Sequence, residues 1–177
     1  MCIRDSHTTD GFNHSDELVS LASDEGFEVG VAAFPDGHPA SLGNFKQDLD
    51  VLLEKERRGA TFATTQFFFE AERYFNLVGQ LQERGSRLSI YPGVLPITNV
   101  SQLKRMAELS GTPIPSKIAD QISSVENDPQ KVREIGIDLA TSLCSELLDF
   151  GVPGIHFYTM NSAKSTLEIV KRIGFRP

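Results

Sequence analysis

Cysteine is scarce. Cys2 and Cys144 are the only two in 177 residues, too few and too far apart for a disulfide framework or a cysteine metal site. That scarcity fits a reducing compartment, and a cytoplasmic location is expected. Histidine is scarce as well: His7, His14, His38 and His156 show no H-x-x-x-H or carboxylate spacing, so no metal site is expected. Positive charge is in deficit, with 17 Lys and Arg against 24 Asp and Glu and a formal net charge of −7. That balance argues against a nucleic-acid or anionic-membrane partner, because either needs a concentrated basic surface. The short basic cluster Lys55, Arg57, Arg58 is interrupted by Glu54 and Glu56 and reads as a solvated helix face. No apolar segment approaches the roughly 20 residues that span a bilayer, and the N-terminus lacks the apolar core of a secretory signal. There is no G-x-G-x-x-G, P-loop or nucleophile-elbow pattern.

What is present is ordinary globular composition, 40% hydrophobic and 23% charged, enough for one domain with a sizeable core. Apolar β-type runs alternate with helical patterns, the signature of a parallel α/β sheet. The punctuation predicts a helix over Ser15 to Glu25 and a strand "FEVGVAAF", Phe27 to Phe34, apolar enough to be covered on both faces. A helix over Phe45 to Arg58, a strand over Thr61 to Phe67 and a helix over Glu70 to Arg84 follow. The third strand is "RLSIYPGV", then a helix begins near Ser101 and breaks at "SGTPIPSKI". Asp128, Pro129 and Gly151 bracket a long helix, the fourth strand is Gly154 to Thr159, and a last helix runs from Ser162 to Ile173. Four strand-helix units are visible where a closed (β/α)8 TIM barrel needs eight in about 250 residues, so the expectation is half a barrel.

Each predicted strand is followed by a cluster that a purely structural loop would not require: "FPDGHP", "TQFFFE", "YPGVLPITN" and "HFYTMN". That end of a parallel sheet is where ligands bind. Period-2 alternation puts Phe62, Thr64 and Gln66 on one face, and Gln66, the last polar residue of its strand, can place its amide at the mouth. Each cluster also has a plainer reading. A strand-end glutamine is commonly bonded to nearby backbone, His156 reads as a satisfied core histidine, the three phenylalanines fill core, and Pro-Gly after a strand is ordinary turn chemistry.

Taken in order, "VAAFPDGHP", "LEKERRGATFATTQFFFE", "YPGVLPITN" and "GVPGIHFYTMN" resemble methylenetetrahydrofolate reductase, the flavoprotein that makes methyl-tetrahydrofolate for methionine synthesis. The resemblance covers residues 15–177 and corresponds to the C-terminal half of that family's catalytic barrel. It implies FAD as cofactor, NAD(P)H as co-substrate, folate and nicotinamide as small-molecule partners, and a homo-oligomer at full length. It carries Phe34, His38, Asp48 and Lys55 onto FAD contacts, Phe34 standing where a tyrosine is usual. It carries Gln66, Gln102, Met106 and Ser162 onto substrate contacts. Ser162 replaces a typical arginine, an exchange expected to weaken binding of an anionic group by about 1.5 to 3 kcal/mol. Glu54 falls where a basic residue is common.

The family's catalytic glutamate, in an F-E-F-F-P-type motif, and its R-G-D-type aspartate have no counterpart in the 177 residues, so no catalytic residue is assigned and the chain alone is expected to have little or no reductase activity. Residues 1–14 do not resemble the family, and "MCIRDS" is expected to be adapter read-through. The alternative from another class is a non-enzymatic half-barrel remnant that dimerises or binds a nucleotide or pterin. A proline dehydrogenase-like flavin barrel is a third reading, opposed by "TQFFF" and "PGVLPITN".

Overall fold

The computed structural model describes residues 11–174. The expectation about "MCIRDS", like Cys2, lies outside the described residues. Four parallel strands, β1 (Val29–Ala33), β2 (Ala60–Phe67), β3 (Ser89–Val94) and β4 (His156–Phe157), form one sheet in the order β1-β2-β3-β4. The order follows the chain without reversal. Such a sheet steps in one direction and makes a half-barrel, whereas a doubly wound sheet reverses at a switch point.

Helices α1 (Ser15–Asp24), α2 (Phe45–Arg57), α3 (Ala71–Glu83), α4 (Val100–Ser110), α5 (Ser116–Ser123), α6 (Pro129–Phe150) and α7 (Ala163–Arg172) connect and cover the strands. The capping that marked α6 in sequence forms: Asp128 Oδ1 accepts from the Gln130 and Lys131 N–H groups, each at 3.2 Å, and Gly151 closes the helix at φ 90°. The main core lies between the sheet and its helices, where Ala63, Ile90 and Val94 meet Leu49, Leu77, Leu81, Ile137 and Leu147. A second cluster under α4, α5 and α6 gathers Ile97, Leu103, Ile118, Ile122 and Val132.

Four expectations need correction. β1 is not covered on both faces: Val31 and Ala33 are buried while Gly30 and Ala32 are exposed, and Phe27, outside the strand, is 69% exposed. Helices cover only one face of β1, so its inward side has no lid among the described residues. The fourth strand shrinks to His156–Phe157, because only Gly93 and Val94 of β3 offer it partners. His156 is exposed rather than in the core, its ring edge-on to Tyr158 at 5.0 Å.

The fourth concerns the plainer reading of Pro-Gly as turn chemistry: the strand expected at "RLSIYPGV" forms, and it includes "YPGV". Pro92 and Gly93 are both inside β3 and buried. Proline has no N–H to give a neighbouring strand and is tolerated within a sheet at an edge or a bulge. Here the β2–β3 pairing runs in step to Thr64 with Tyr91 and resumes at Phe67 with Gly93, so Thr65 and Gln66 lie opposite Pro92 alone. The result is a β-bulge at Gln66.

Candidate functional site

A cleft of about 740 Å³ runs along β1 between α1 and α2 and reaches the loop after the strand. Phe34, His38, Asp48 and Lys55, the four residues that the resemblance assigned to the flavin, all line it. Its walls are otherwise mainly aliphatic, including Leu18, Val51 and Leu52. The volume is ordinary for a small-molecule site, about 300–1,000 Å³.

The loop is built by Asp48. Its Oδ2 accepts from the His38 N–H and from Ser41 Oγ, both at 2.9 Å, while Ser41 Oγ also reaches the His38 carbonyl at 2.8 Å. Asp48 therefore holds "DGHPAS" in shape through that oxygen. His38 Nδ1 accepts from the Ala40 N–H at 3.1 Å, which leaves Nε2 as the ring's donor in the neutral form. The ring stands edge-on to Phe34 with centroids 4.6 Å apart. Lys55 makes no hydrogen bond or ion pair with the described residues; burial pushes its ammonium below the usual lysine range, and the nearby Asp16 charge opposes that shift. Glu54, which placed a carboxylate where a cation was expected, is neutralised locally by Arg57 at 3.1 Å and Arg58 at 2.9 Å, and those bonds hold its carboxyl below the usual range.

On the other side of the sheet's C-terminal end, Gln66 is half-buried on the bulge. Its Oε1 accepts from the Phe67 N–H at 3.1 Å, and Nε2 has no partner among the described residues. The shared face inferred from alternation holds through Gln66: Phe62, Thr64 and Gln66 are half-buried while Ala63, Thr65 and Phe67 are buried, and only the register against β3 shifts after Thr64. Gln102 and Ser162 come together, both lining a small pocket of about 50 Å³ between the β3–α4 and β4–α7 loops. Gln102 Oε1 accepts from Thr98 Oγ1 at 2.7 Å, and Ser162 is exposed with no cap bond from its hydroxyl. Met106 lies one turn beyond Gln102 on α4, half-buried, and does not line that pocket.

Sequence reasoning missed three features. Asp36, within "FPDGHP", has a side chain only 10% exposed and pairs with Arg73 at 3.4 Å, joining the loop after β1 to the first turn of α3; burial raises its carboxyl above the usual range, Arg73 counters this, and Glu70 adds to it. Met160 and Asn161 take consecutive left-handed conformations, φ 49° and 60°, between β4 and α7. Tyr158 bonds to the bulge. Among the described residues no three His, Cys, Asp or Glu side chains gather to hold a metal, and no helix is long and apolar enough to cross a membrane.

The fold is a singly wound parallel α/β half-barrel, with an apolar cleft beside its first strand and amides at its strand ends. The chain belongs to the methylenetetrahydrofolate reductase family: the family profile of that description matches residues 4–174, opening inside the segment that sequence reading had set apart as 1–14. The probable methylenetetrahydrofolate reductase (NADPH) of Caenorhabditis elegans is 40% identical over 149 residues, 84% of this chain and 22% of that protein. The 5,10-methylenetetrahydrofolate reductase of Escherichia coli is 32% identical over 165 residues, 93% of this chain and 55% of that protein. The chain thus spans about half the length of its bacterial relatives. A solved structure of an uncharacterized Clostridium thermocellum protein, described as binding two copies of 5-methyl-5,6,7,8-tetrahydrofolic acid, superposes with a TM-score of 0.65 at 16% identity over 89% of this chain and 58% of that one, a likeness of fold.

Proposed function

We propose that this chain is the C-terminal half of a methylenetetrahydrofolate reductase barrel, its four units being the last four of eight, and that it supplies walls of an FAD site and of the folate and nicotinamide site. The observation that carries the reading is the convergence of Phe34, His38, Asp48 and Lys55 on one cleft of cofactor size. Those residues suit the group. Phe34 offers a flat apolar contact for a ring system, the His38 Nε2–H a donor, and the Lys55 ammonium, which has no ion pair among the described residues, a charge for a diphosphate. FAD, when bound, would supply the hydride chemistry that links a reduced nicotinamide to the folate's methylene carbon.

The chain's own residues bind and orient. Gln66, with its oxygen held by the Phe67 N–H, presents an amide donor to a carbonyl of either substrate. Gln102, with its oxygen held by Thr98, is a second amide beside the exposed Ser162. That the Clostridium thermocellum protein of like fold is described as binding 5-methyl-5,6,7,8-tetrahydrofolic acid supports a folate as the ligand.

We further propose that the 177 residues alone have little or no reductase activity, since none matches the family's acid. The test mixes the chain with a separately expressed N-terminal barrel half of the Escherichia coli relative and follows FAD binding by fluorescence and NADH-driven reduction of a quinone. Flavin binding and turnover that appear only in the mixture support the reading. Turnover by the chain with FAD alone overturns the inactivity, and no flavin binding in any mixture favours the non-enzymatic remnant, the reading that the missing cation at Ser162 points toward.

A further inference from the structure

We propose that Tyr158 is a positioning residue for Gln66, acting through the β-bulge that Pro92 forces on the sheet; the inference rests on the reading of Gln66 as a substrate contact. Where Pro92 interrupts the β2–β3 ladder, main-chain groups lose their strand partners, and buried ones must find others. Side chains take the place of the ladder. The Gly93 N–H donates to Thr65 Oγ1 at 2.8 Å, the Thr65 carbonyl accepts from Tyr158 Oη at 3.0 Å, and the Phe67 N–H donates to Gln66 Oε1 at 3.1 Å. Gln66 is thus flanked in the chain by two residues whose main-chain bonds end on side chains.

Tyr158 is aimed by its surroundings. Its own N–H donates to the Val94 carbonyl at 2.9 Å, so it continues β4 past the last paired residue, and its ring stands edge-on to Phe67 with centroids 5.9 Å apart. Gly93 leaves the path open: a Cβ there would sit 2.7 Å from Cε2 of the Tyr158 ring and against the Thr65 carbonyl oxygen. The hydroxyl therefore crosses β3 and holds β2 at the residue before Gln66. Bulges beside sites commonly re-aim one side chain, and here the fourth strand fixes the amide of the second. Losing the hydroxyl frees the Thr65 peptide to rotate, and with it the direction of Gln66.

The test uses the full chain labelled with ¹⁵N, comparing Tyr158→Phe, which keeps the ring, and Thr65→Val, which removes the hydroxyl that serves Gly93. Amide exchange at Phe67 and Gly93 is expected to quicken by about 5- to 10-fold in Tyr158→Phe, the loss of one hydrogen bond, while Ile137 in α6 stays unchanged. Thr65→Val is expected to act in the same direction, and the Gln66 side-chain amide resonances move in both. Unchanged exchange at Phe67 and Gly93 in both variants, or an equal rise at Ile137, overturns the assignment. In the reconstituted protein, 5-methyltetrahydrofolate titrations of Gln66→Ala, Tyr158→Phe and the double variant are expected to give losses that do not add. Local exchange that quickens while Gln66→Ala leaves that affinity intact overturns the folate reading and leaves Tyr158 as the residue that sets Gln66.

Discussion

At residue 66 the side-chain oxygen is already engaged by the Phe67 N–H, so what the glutamine offers a ligand is its NH₂. Gln66→Glu keeps an oxygen for Phe67 and removes the donor. It is expected to leave the thermal midpoint of the chain unchanged while weakening 5-methyltetrahydrofolate binding by the reconstituted protein about tenfold, read by titration calorimetry. Gly93→Ala makes the opposite separation. Its Cβ would collide with the Thr65 carbonyl and the Tyr158 ring, and overpacking of this kind costs about 1–3 kcal/mol, measurable as a lower urea midpoint.

Among the elements, α3 is tied to β3 by a single buried hydroxyl: Tyr74 Oη donates to the Ile90 carbonyl at 2.7 Å, with 2% of the residue exposed. Burial pushes this phenol up to about 12 from an ordinary value of 10.0. The folded protein holds the proton more tightly than the unfolded chain does. The tether's stability is therefore complete below pH 10 and is lost as pH rises through about 12. Tyr74→Phe is expected to cost about 1 kcal/mol at neutral pH and to flatten the alkaline limb of stability against pH, followed by urea unfolding at pH 8 to 11. The α2 helix has a comparable tie at the same, N-terminal end of β3, where Glu56 accepts from Ser86 Oγ at 2.6 Å and the Arg87 N–H at 2.7 Å and so fixes the turn into the strand.

Over the whole molecule, β1 pairs only with β2 and β4 only with β3, so both sheet edges are unpaired among the described residues. Beside the β1 edge, Leu18, Leu21 and Val51 are all more than 45% exposed. Unpaired edges next to apolar surface invite association. Sedimentation is expected to show the mass of the 177-residue chain rising with concentration, and Leu18→Gln with Leu21→Gln is expected to shift it toward monomer. Unaltered association in that variant would place the contact elsewhere.

The four parallel units, the helix caps and the motif at each strand end were legible in the sequence because each rests on local chemistry: periodicity, an Asp-Pro start, a glycine stop. The family was legible for the same reason, its motifs being short and ordered along the chain. What the sequence could not disclose was set by neighbours far along it. Pro92 reads locally as a turn, and only its place between β2 and β4 turns it into the cause of a bulge. Tyr158 lies 93 residues from Thr65, and no local pattern announces the bond between them. Asp48 reads as a ligand contact by position, yet tertiary packing gives its oxygen to the loop that carries His38. Sequence by itself determined which residues stand at the strand ends; the pairing of strands decided where those residues point, because a hydrogen-bond ladder is satisfied across the sheet and not along the chain.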